Sequence, residues 1–599
     1  MVKVHPNDFT AWEYILKLAE NIEDGISTNS SSTSIQNLRL AYDKFLAKFP
    51  LCYGYWKKYA DHELALGGTE SAEKIYKRSV EAIPNSVELW SHYCSFKMES
   101  STDDEAIRAV FGEGADAVGL DFLSHVFWDK YLEFEESREA YDKVMNILER
   151  VIRIPMHQYA RYFERYTQLS ATRSTSELVP LEQYKQFVEE STHEGQETTL
   201  PAKSDEEIEV EVRGRIHQLS LEIYTKTQTE TNNRWIYEAE IKRPYFHVKP
   251  LDEHQLDNWR KYLDFEQIEN DPTRIQFLFE RCLVACALYE EFWERYTTWL
   301  ISKTLYDDAK IAFLRATTRF LPQDQPLVRL SLAIFEEQFG DIDSARKRYK
   351  DILQYVPNHL ETIWRFAQFE RRQNPSDPSV AENILLSQLN ADNLDKPTKA
   401  FLTVQRANLV CYTQKNISKA REIYIENSKE FSNVKYFWLN YFNFEYIHYD
   451  SCIESLNIAL DLLHNTADLP SETFQGIHTR HLDFILERGV DVSSYFQSKS
   501  FMRQPTKSMD ANKKRVSLEE NPQPSKQTRI NASTIPNSQI NPNPHNPIYP
   551  SSSFTHYSST TNPWPTQPGY SQNMMMVQPP YPYQYQYQYQ YSTSGYPNP

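Results

Sequence analysis

The sequence predicts an all-α fold, a two-armed superhelical solenoid of stacked helix pairs followed by a disordered C-terminal tail. Three observations carry that expectation. A Trp-x-x-Tyr-x-x-Phe-Glu stretch returns along the chain, with spacings of 90 − 56 = 34, 128 − 90 = 38 and 293 − 259 = 34 residues. At about 100° per residue the Trp, Tyr and Phe of each stretch share one helical arc, a stripe that must bury against a neighbouring helix. The 599 residues hold only 14 glycines while 14% are aromatic, a balance that favours helices over sheets. A repeat array grows without a single core, so chain length does not count globular domains here.

The first arm is expected over residues 1–170. Thr10-Ala-Trp-Glu13 reads as a capping box opening the first helix. The pattern then settles at Trp56 and Tyr59 with Glu63, at Trp90, Tyr93 and Phe96, and at Trp128, Tyr131, Phe134 and Glu135, with a weaker unit at Tyr159 and Tyr162. Second helices carry small and large apolar residues such as Ala72, Ile75 and Tyr76, so that paired helices approach closely. Pro84-Asn85 stops one helix and starts the next.

Residues 171–234 lose the pattern and read as a polar hinge with a linker helix resuming near Glu206–Thr227. The second arm, 235–490, repeats the scheme at Trp259, Tyr262, Phe265 and Glu266, and at Trp293, Tyr296 and Trp299. Arg329 and then Ile363 take the Trp slot in degenerate units, a weak unit lies around Phe401–Tyr412, and Trp438, Tyr441, Phe444 and Glu445 form the last clear one. The recurring carboxylate, exemplified by Glu266, points into the buried arc. It therefore requires a Tyr, Arg or backbone N–H partner and is a structural acid. Residues 491–599 are Ser/Gln/Asn/Pro/Tyr-rich and lack the apolar content to order themselves. Within them, Lys513-Lys514-Arg515 reads either as a nuclear import signal or as a solvated charge run.

The formal charge is −18; from Phe501 onward there are seven Lys/Arg and three Asp/Glu, which leaves 57 − 79 = −22 on the rest. Such a body suits basic protein partners better than bare phosphate backbones. The exception is a basic–aromatic segment that occurs once, with Lys242, Arg243, Tyr245, His247 and Lys249 around Phe246. It reads as a contact for RNA phosphate or an acidic partner, or as a Pro-bounded connector docking Tyr245 and Phe246 into the first repeats of the second arm. Six cysteines show no framework spacing, and Cys282 and Cys286 sit within an apolar helix without further ligands, as buried reduced thiols of an intracellular protein would. No run approaches transmembrane length and MVKVHPNDF is no signal peptide, so neither membrane nor secretion is expected. The chain carries no phosphate-binding Gly-rich loop, HExxH or nucleophile elbow, so catalysis, cofactors, metals and a small-molecule substrate are not expected.

YFWLNYFNFEYIHYD places aromatics all round one helix. The surplus at Tyr436, Phe437, Phe442, Tyr446 and Tyr449 is expected to meet another chain, unless closing helices at 470–488 cover it.

The Trp-x-x-Tyr-x-x-Phe-Glu first helix with Ala-Arg-x-Ile-Tyr in the second resembles half-a-tetratricopeptide (HAT) repeats. IKRPYFHVKPL followed by QLDNWRKYLDFE, with DFTAW near the start, resembles the pre-mRNA-processing factor 39 family over roughly residues 5–490. This chain starts close to its first repeat, where many members carry an acidic extension. The resemblance implies a nuclear, non-catalytic splicing scaffold that helps the U1 small nuclear ribonucleoprotein (snRNP) engage 5′ splice sites. It further implies contacts to U1 snRNP proteins, indirect contact to U1 snRNA, and a homodimer or a heterodimer with a paralogue. The competing expectations are a HAT scaffold of mRNA 3′-end processing and a direct RNA-binding protein.

Overall fold

The computed structural model describes residues 8–193, 204–391, 394–448, 453–488 and 492–501. Tyr449, the Lys513-Lys514-Arg515 cluster and the tail from 502 lie outside the described residues. The architecture is an all-α solenoid of helix pairs in two arms.

The first arm runs through α1 (Phe9–Glu20), α2 (Ser32–Lys48), α3 (Tyr53–Ala82), α4 (Val87–Ser100), α5 (Asp104–Val118), α6 (His125–Ser137), α7 (Tyr141–Val151) and α8 (Tyr159–Ser170). The cap of α1 is Asp8, whose carboxylate accepts from the backbone N–H of Thr10 and Ala11, so the expected Thr10 capping box is not what opens this helix. The long α3 is two limbs broken at Gly68, whose φ of 76° is a left-handed value that glycine adopts without strain. The stretch read as a hinge carries α9 (Thr175–Leu178) and α10 (Leu181–His193), both packed on α11 (Asp205–Glu238).

The second arm continues with α12 (Glu253–Glu269), α13 (Pro272–Ala285), α14 (Glu290–Ser302), α15 (Tyr306–Arg315), α16 (Leu327–Phe339), α17 (Ile342–Tyr355), α18 (Leu360–Gln373) and α19 (Ser379–Leu389). It closes with α20 (Lys396–Tyr412), α21 (Ile417–Asn427), α22 (Lys435–Ile447), α23 (Ile453–Thr466), α24 (Ser471–Arg488) and α25 (Ser493–Phe501).

Successive units are joined by a recurring set of side-chain contacts. A ring on one second helix stacks on the Tyr of the next first helix: Tyr42 on Tyr59, Tyr76 on Tyr93, Phe279 on Tyr296 and Tyr424 on Tyr441, with centroids 4.8–5.6 Å apart. On several second helices, one turn before the stacking ring, an arginine donates to the repeat carboxylate. Arg39 grips Glu63, Arg108 Glu135, Arg346 Glu370 and Arg421 Glu445, each through Nε and Nη2. The same guanidinium lies over the preceding Phe in three of these, at 5.6–5.8 Å from Phe134, Phe369 and Phe444. Buried carboxylates are thus matched by planar two-pronged donors, the geometry arginine supplies best.

The tryptophans perform a second service. Nε1 of Trp56, Trp90, Trp293 and Trp438 donates to the carbonyl six residues earlier, at Pro50, Pro84, Ala287 and Ser432. These carbonyls lie in the turns before each helix, where the indole N–H supplies a donor; only the Ser432 carbonyl is also reached by a backbone N–H, that of Asp468.

The degenerate units keep these functions by other means. Arg329, in the Trp slot, donates to the carbonyls of Pro322, Gln325, Thr317 and Leu321 at 2.7–2.9 Å. In the weak unit of α20 the ion pair survives with its ends exchanged, the acid Glu382 on α19 and the base Arg406 on α20.

Candidate partner-binding surfaces

The twelve repeat residues singled out from sequence sit where the pattern requires. Trp56, Tyr59, Trp90, Tyr93, Trp128, Trp259, Tyr262, Trp293, Tyr296, Trp438 and Tyr441 are buried, and Tyr131 is half-buried with its ring stacked on Phe111. They are scaffold, and the free surface belongs to other residues. Cys282 and Cys286 are buried free thiols, and burial holds the Cys282 thiol well above its usual range.

The basic–aromatic segment follows α11. Its backbone is tied to the second arm: Gln255 accepts from the Lys242 N–H and donates to the Glu240 carbonyl, and Tyr289 Oη accepts from the Leu251 N–H at 2.6 Å. Its aromatics go elsewhere than expected. Phe246 is buried in the core of the first arm, the His247 ring lies 6.1 Å from Phe9 of α1, and Tyr245 meets Tyr53 of α3 edge-on. The segment therefore joins the first repeats of both arms, where the sequence reading placed its rings in the second arm alone. Lys242 and Lys249 remain exposed, and Arg243 donates to the Lys249 carbonyl. Burial beside Arg243 and Lys249 holds the His247 imidazole below its ordinary value, which keeps it neutral.

A second junction lies deeper. Arg281 of α13 donates to both oxygens of Glu238 at the end of α11 and forms an ion pair through Nε with Asp121 of the first arm at 2.9 Å, all three side chains being buried. Sequence inspection singled out neither Asp121 nor Glu238, because 160 residues separate Asp121 from Arg281 (281 − 121) and no periodicity links them.

At the far end, α22 places its aromatics differently from the expectation of a surplus. Phe437, Phe442 and Tyr446 are interior, and Tyr446 packs 4.7 Å from Phe484 of α24. Phe437 packs on Tyr424 and Phe431 while α24 lies against Tyr446, so these three residues do not present a surface to a second chain. Tyr436 is 39% exposed, and with Leu439 (43%) and Ile447 (54%) it forms an apolar stripe on the opposite face. Leu439 and Ile447 were missed because aromatic count, not helical phase, drew the selection.

Between α12, α14 and α16 lies a groove of about 470 Å³, lined by Gln267, Glu291, Glu294, Arg295, Trp299 and Leu327 among others. Among the described residues, no helix is long and apolar enough to cross a membrane.

Comparison with known proteins agrees with this architecture. A family model for the PRP39 N-terminal HAT repeat matches residues 1–168, and one for the PRP39 C-terminal HAT repeat matches residues 232–372. Pre-mRNA-processing factor 39 of Schizosaccharomyces pombe is 40% identical over 507 residues, covering 82% of this chain and 83% of its own. The Homo sapiens protein of the same name is 33% identical over 468 residues, covering 74% and 67%. The U1 small nuclear ribonucleoprotein component PRP42 of Saccharomyces cerevisiae is 25% identical over 391 residues, covering 62% and 69%. On the strength of both repeat models and a relative of 40% identity along most of its length, the chain belongs to the pre-mRNA-processing factor 39 family.

Proposed function

We propose that this protein is a nuclear, non-catalytic scaffold of pre-mRNA splicing that associates with the U1 snRNP and supports 5′ splice-site recognition through protein–protein contacts. The observation that carries the reading is the likeness to a U1 snRNP component over 391 residues within a family named for pre-mRNA processing. The repeat chemistry supports it: the recurring polar groups of the units are used in joining helices, and the rest of the body is acidic and suited to basic proteins. U1 snRNA is then reached indirectly, through the proteins that coat it.

The reading includes dimerisation, with a second copy or a paralogue, through the last repeats. The stripe of Tyr436, Leu439 and Ile447 is the surface that supports it, in place of the interior Phe442 and Tyr446.

A pull-down of tagged full-length protein from nuclear extract, with sequencing of the retained small RNAs, tests the assignment. Enrichment of U1 RNA at low salt, lost when proteins are stripped at high salt, is the expected result. Cleavage and polyadenylation factors without U1 RNA would overturn it in favour of 3′-end processing. Salt-sensitive binding of the pure protein to bare RNA would replace protein contacts with direct ones.

A further inference from the structure

A ring and the carboxylate next to it in sequence repeatedly share one arginine in this fold. Arg108 takes Phe134 with Glu135, Arg234 Phe265 with Glu266, Arg346 Phe369 with Glu370, and Arg421 Phe444 with Glu445. In each, the guanidinium lies 5.5–5.8 Å from the ring centroid and donates through Nε and Nη2 to the carboxylate. The same succession of ring and acid, Tyr306 and Asp307, opens α15 on the surface of the second arm. There the chain supplies no arginine. Among the described residues, no cation lies over the Tyr306 ring and none is paired with Asp307.

The surroundings are open and apolar. Tyr306 is 37% exposed and Phe339, the last residue of α16, is 40% exposed, and their rings stack at 4.2 Å. Leu305 beside them is exposed as well. Phe339 also leans on the interior Phe335 at 5.1 Å, so the stack is anchored on its inner side and presents its outer side to water. Solenoid packing does not require an aromatic there. Phe339 stands ten residues after the Trp slot at Arg329, and the neighbouring units carry Glu269, Lys303 and Gln373 at that place. The rim is acidic. Asp308 follows Asp307, and Asp341, two residues past Phe339, has its Cα within about 7 Å of the Phe339 Cα by chain geometry alone. Asp341 accepts from the backbone N–H and the hydroxyl of Ser344 as the cap of α17. The cations closest in sequence are Lys303, which donates to Asn270 at 3.4 Å, and Lys310, one turn into α15. Three carboxylates against two ammonium groups keep the rim negative, within a body at −22 outside the tail.

We propose that the Tyr306–Phe339 stack with Asp307 is a docking site for an arginine of an extended basic polypeptide, its guanidinium laid on the exposed rings and forked to the Asp307 carboxylate. The chain displays this chemistry in its own repeats, where the arginine comes from within. At Tyr306 both the ring and the acid are accessible, so the arginine comes from a partner. A planar guanidinium stacks on a ring and offers two parallel donors, whereas an ammonium does neither, so arginine is preferred over lysine. The proposal rests on the protein-contact reading above and names where in the second arm one such contact is made.

The test uses the full-length protein and a short fluorescein-labelled peptide of alternating serine and arginine, followed by fluorescence anisotropy, with the lysine version alongside. The arginine peptide is expected to bind more tightly than the lysine one. Asp307→Asn and Tyr306→Leu are each expected to weaken the arginine peptide about threefold, and the two together about tenfold, the scale of an exposed ion pair and an exposed cation–π contact. Asp307 is exposed, so Asp307→Asn should leave the circular dichroism unchanged. Glu70→Gln, which removes an exposed carboxylate paired with Lys74 in the first arm, is expected to change nothing. Equal affinity for the arginine and lysine peptides, undiminished binding by Asp307→Asn, or an equal loss in Glu70→Gln overturns the site, the last by showing general acidity only. A photo-crosslinker beside the arginine should mark the start of α15 and the end of α16, and labelling confined to other helices likewise overturns it. Retention of U1 RNA by the unaltered protein is scored separately. Peptide docking without it supports the site and counts against the scaffold reading, and U1 retention without peptide docking does the reverse.

Discussion

Arg234 and Glu266 face each other as a buried bidentate pair, Nε to Oε1 at 2.6 Å and Nη2 to Oε2 at 3.0 Å, with side chains 3% and 2% exposed. Arg234 lies near the end of α11 and Tyr237, three residues on, stacks at 5.1 Å on Tyr262. These are the contacts a second helix makes to the following unit. The last turns of the long connecting helix are thus already a repeat of the second arm, spanning the 234/235 boundary drawn from sequence.

Glu266→Ala leaves the Arg234 guanidinium buried without its anion, and the expected cost is about 3–5 kcal/mol. Replacing both residues by methionine should cost less, the remaining loss being that of Arg274, whose Nε lies 4.0 Å from the Glu266 carboxylate. Urea unfolding of the single and double variants measures the difference. A double variant as unstable as the single one would contradict the pairing.

Arg329→Leu strips donors from four carbonyls at the entrance to α16. Each acceptor left unmatched costs about 1–3 kcal/mol where water cannot reach it, so several kcal/mol are expected in total. Hydrogen exchange should show the loss first in α15 and α16. Arg329→Trp, which restores a single N–H, should recover only part of it.

Phe442→Glu and Tyr446→Glu should unfold the last repeats, because both side chains are interior and α24 lies over them. Leu439→Glu with Ile447→Lys should leave the far-UV circular dichroism unchanged and lower the mass seen by light scattering. A dimer that survives the second pair of changes would remove this stripe from the interface.

Three histidines, His464 of α23 and His478 and His481 of α24, give the closing region its pH dependence. His478 and His481 are buried with both ring nitrogens unbonded, and the His464 ring lies 5.3 Å from that of His478. Burial holds all three below their ordinary value, His481 at about 4, with mutual repulsion adding to the effect on His464 and His481. Asp461 opposes it weakly at His464, while Phe474 and Tyr446 supply apolar contact. Folded values below the unfolded one mean that the stability is fully present above about pH 6.5. It is lost as the pH falls towards about 4, when the unfolded chain takes up protons that the folded one refuses. Limited proteolysis between pH 7 and 4.5 should cut at α24 before it cuts the first arm, and His481→Phe should flatten that dependence.

How much could be read in advance follows from distance along the chain. The stripe of Trp259, Tyr262 and Phe265 and the need of Glu266 for a partner are local, and the partner proved to be one of the expected kinds. Arg329 looked like a defect because residue type was compared where hydrogen-bonding service is what the position selects. The docking of Phe246 on the first arm was not legible, since Phe9 and Tyr53 are remote in sequence and share no period with it. The burial of Phe442 and Tyr446 depended on the path of α24, which the composition of α22 does not specify.

The placement of Phe9 and Tyr53 against Tyr245 and His247 also bears on how the chain is made. A nearest-neighbour array is complete, turn by turn, as it leaves the ribosome. Here Phe9, although packed on Phe45 and Phe49, lacks its His247 neighbour and Tyr53 lacks Tyr245 until the chain has been synthesised past Val248, and the Asp121 carboxylate waits longer still for Arg281. The opening repeats emerge first and are finished late. Through that interval they expose apolar rings and an unpaired buried acid, which makes the newborn first arm, not the mature protein, the species most in need of chaperone protection.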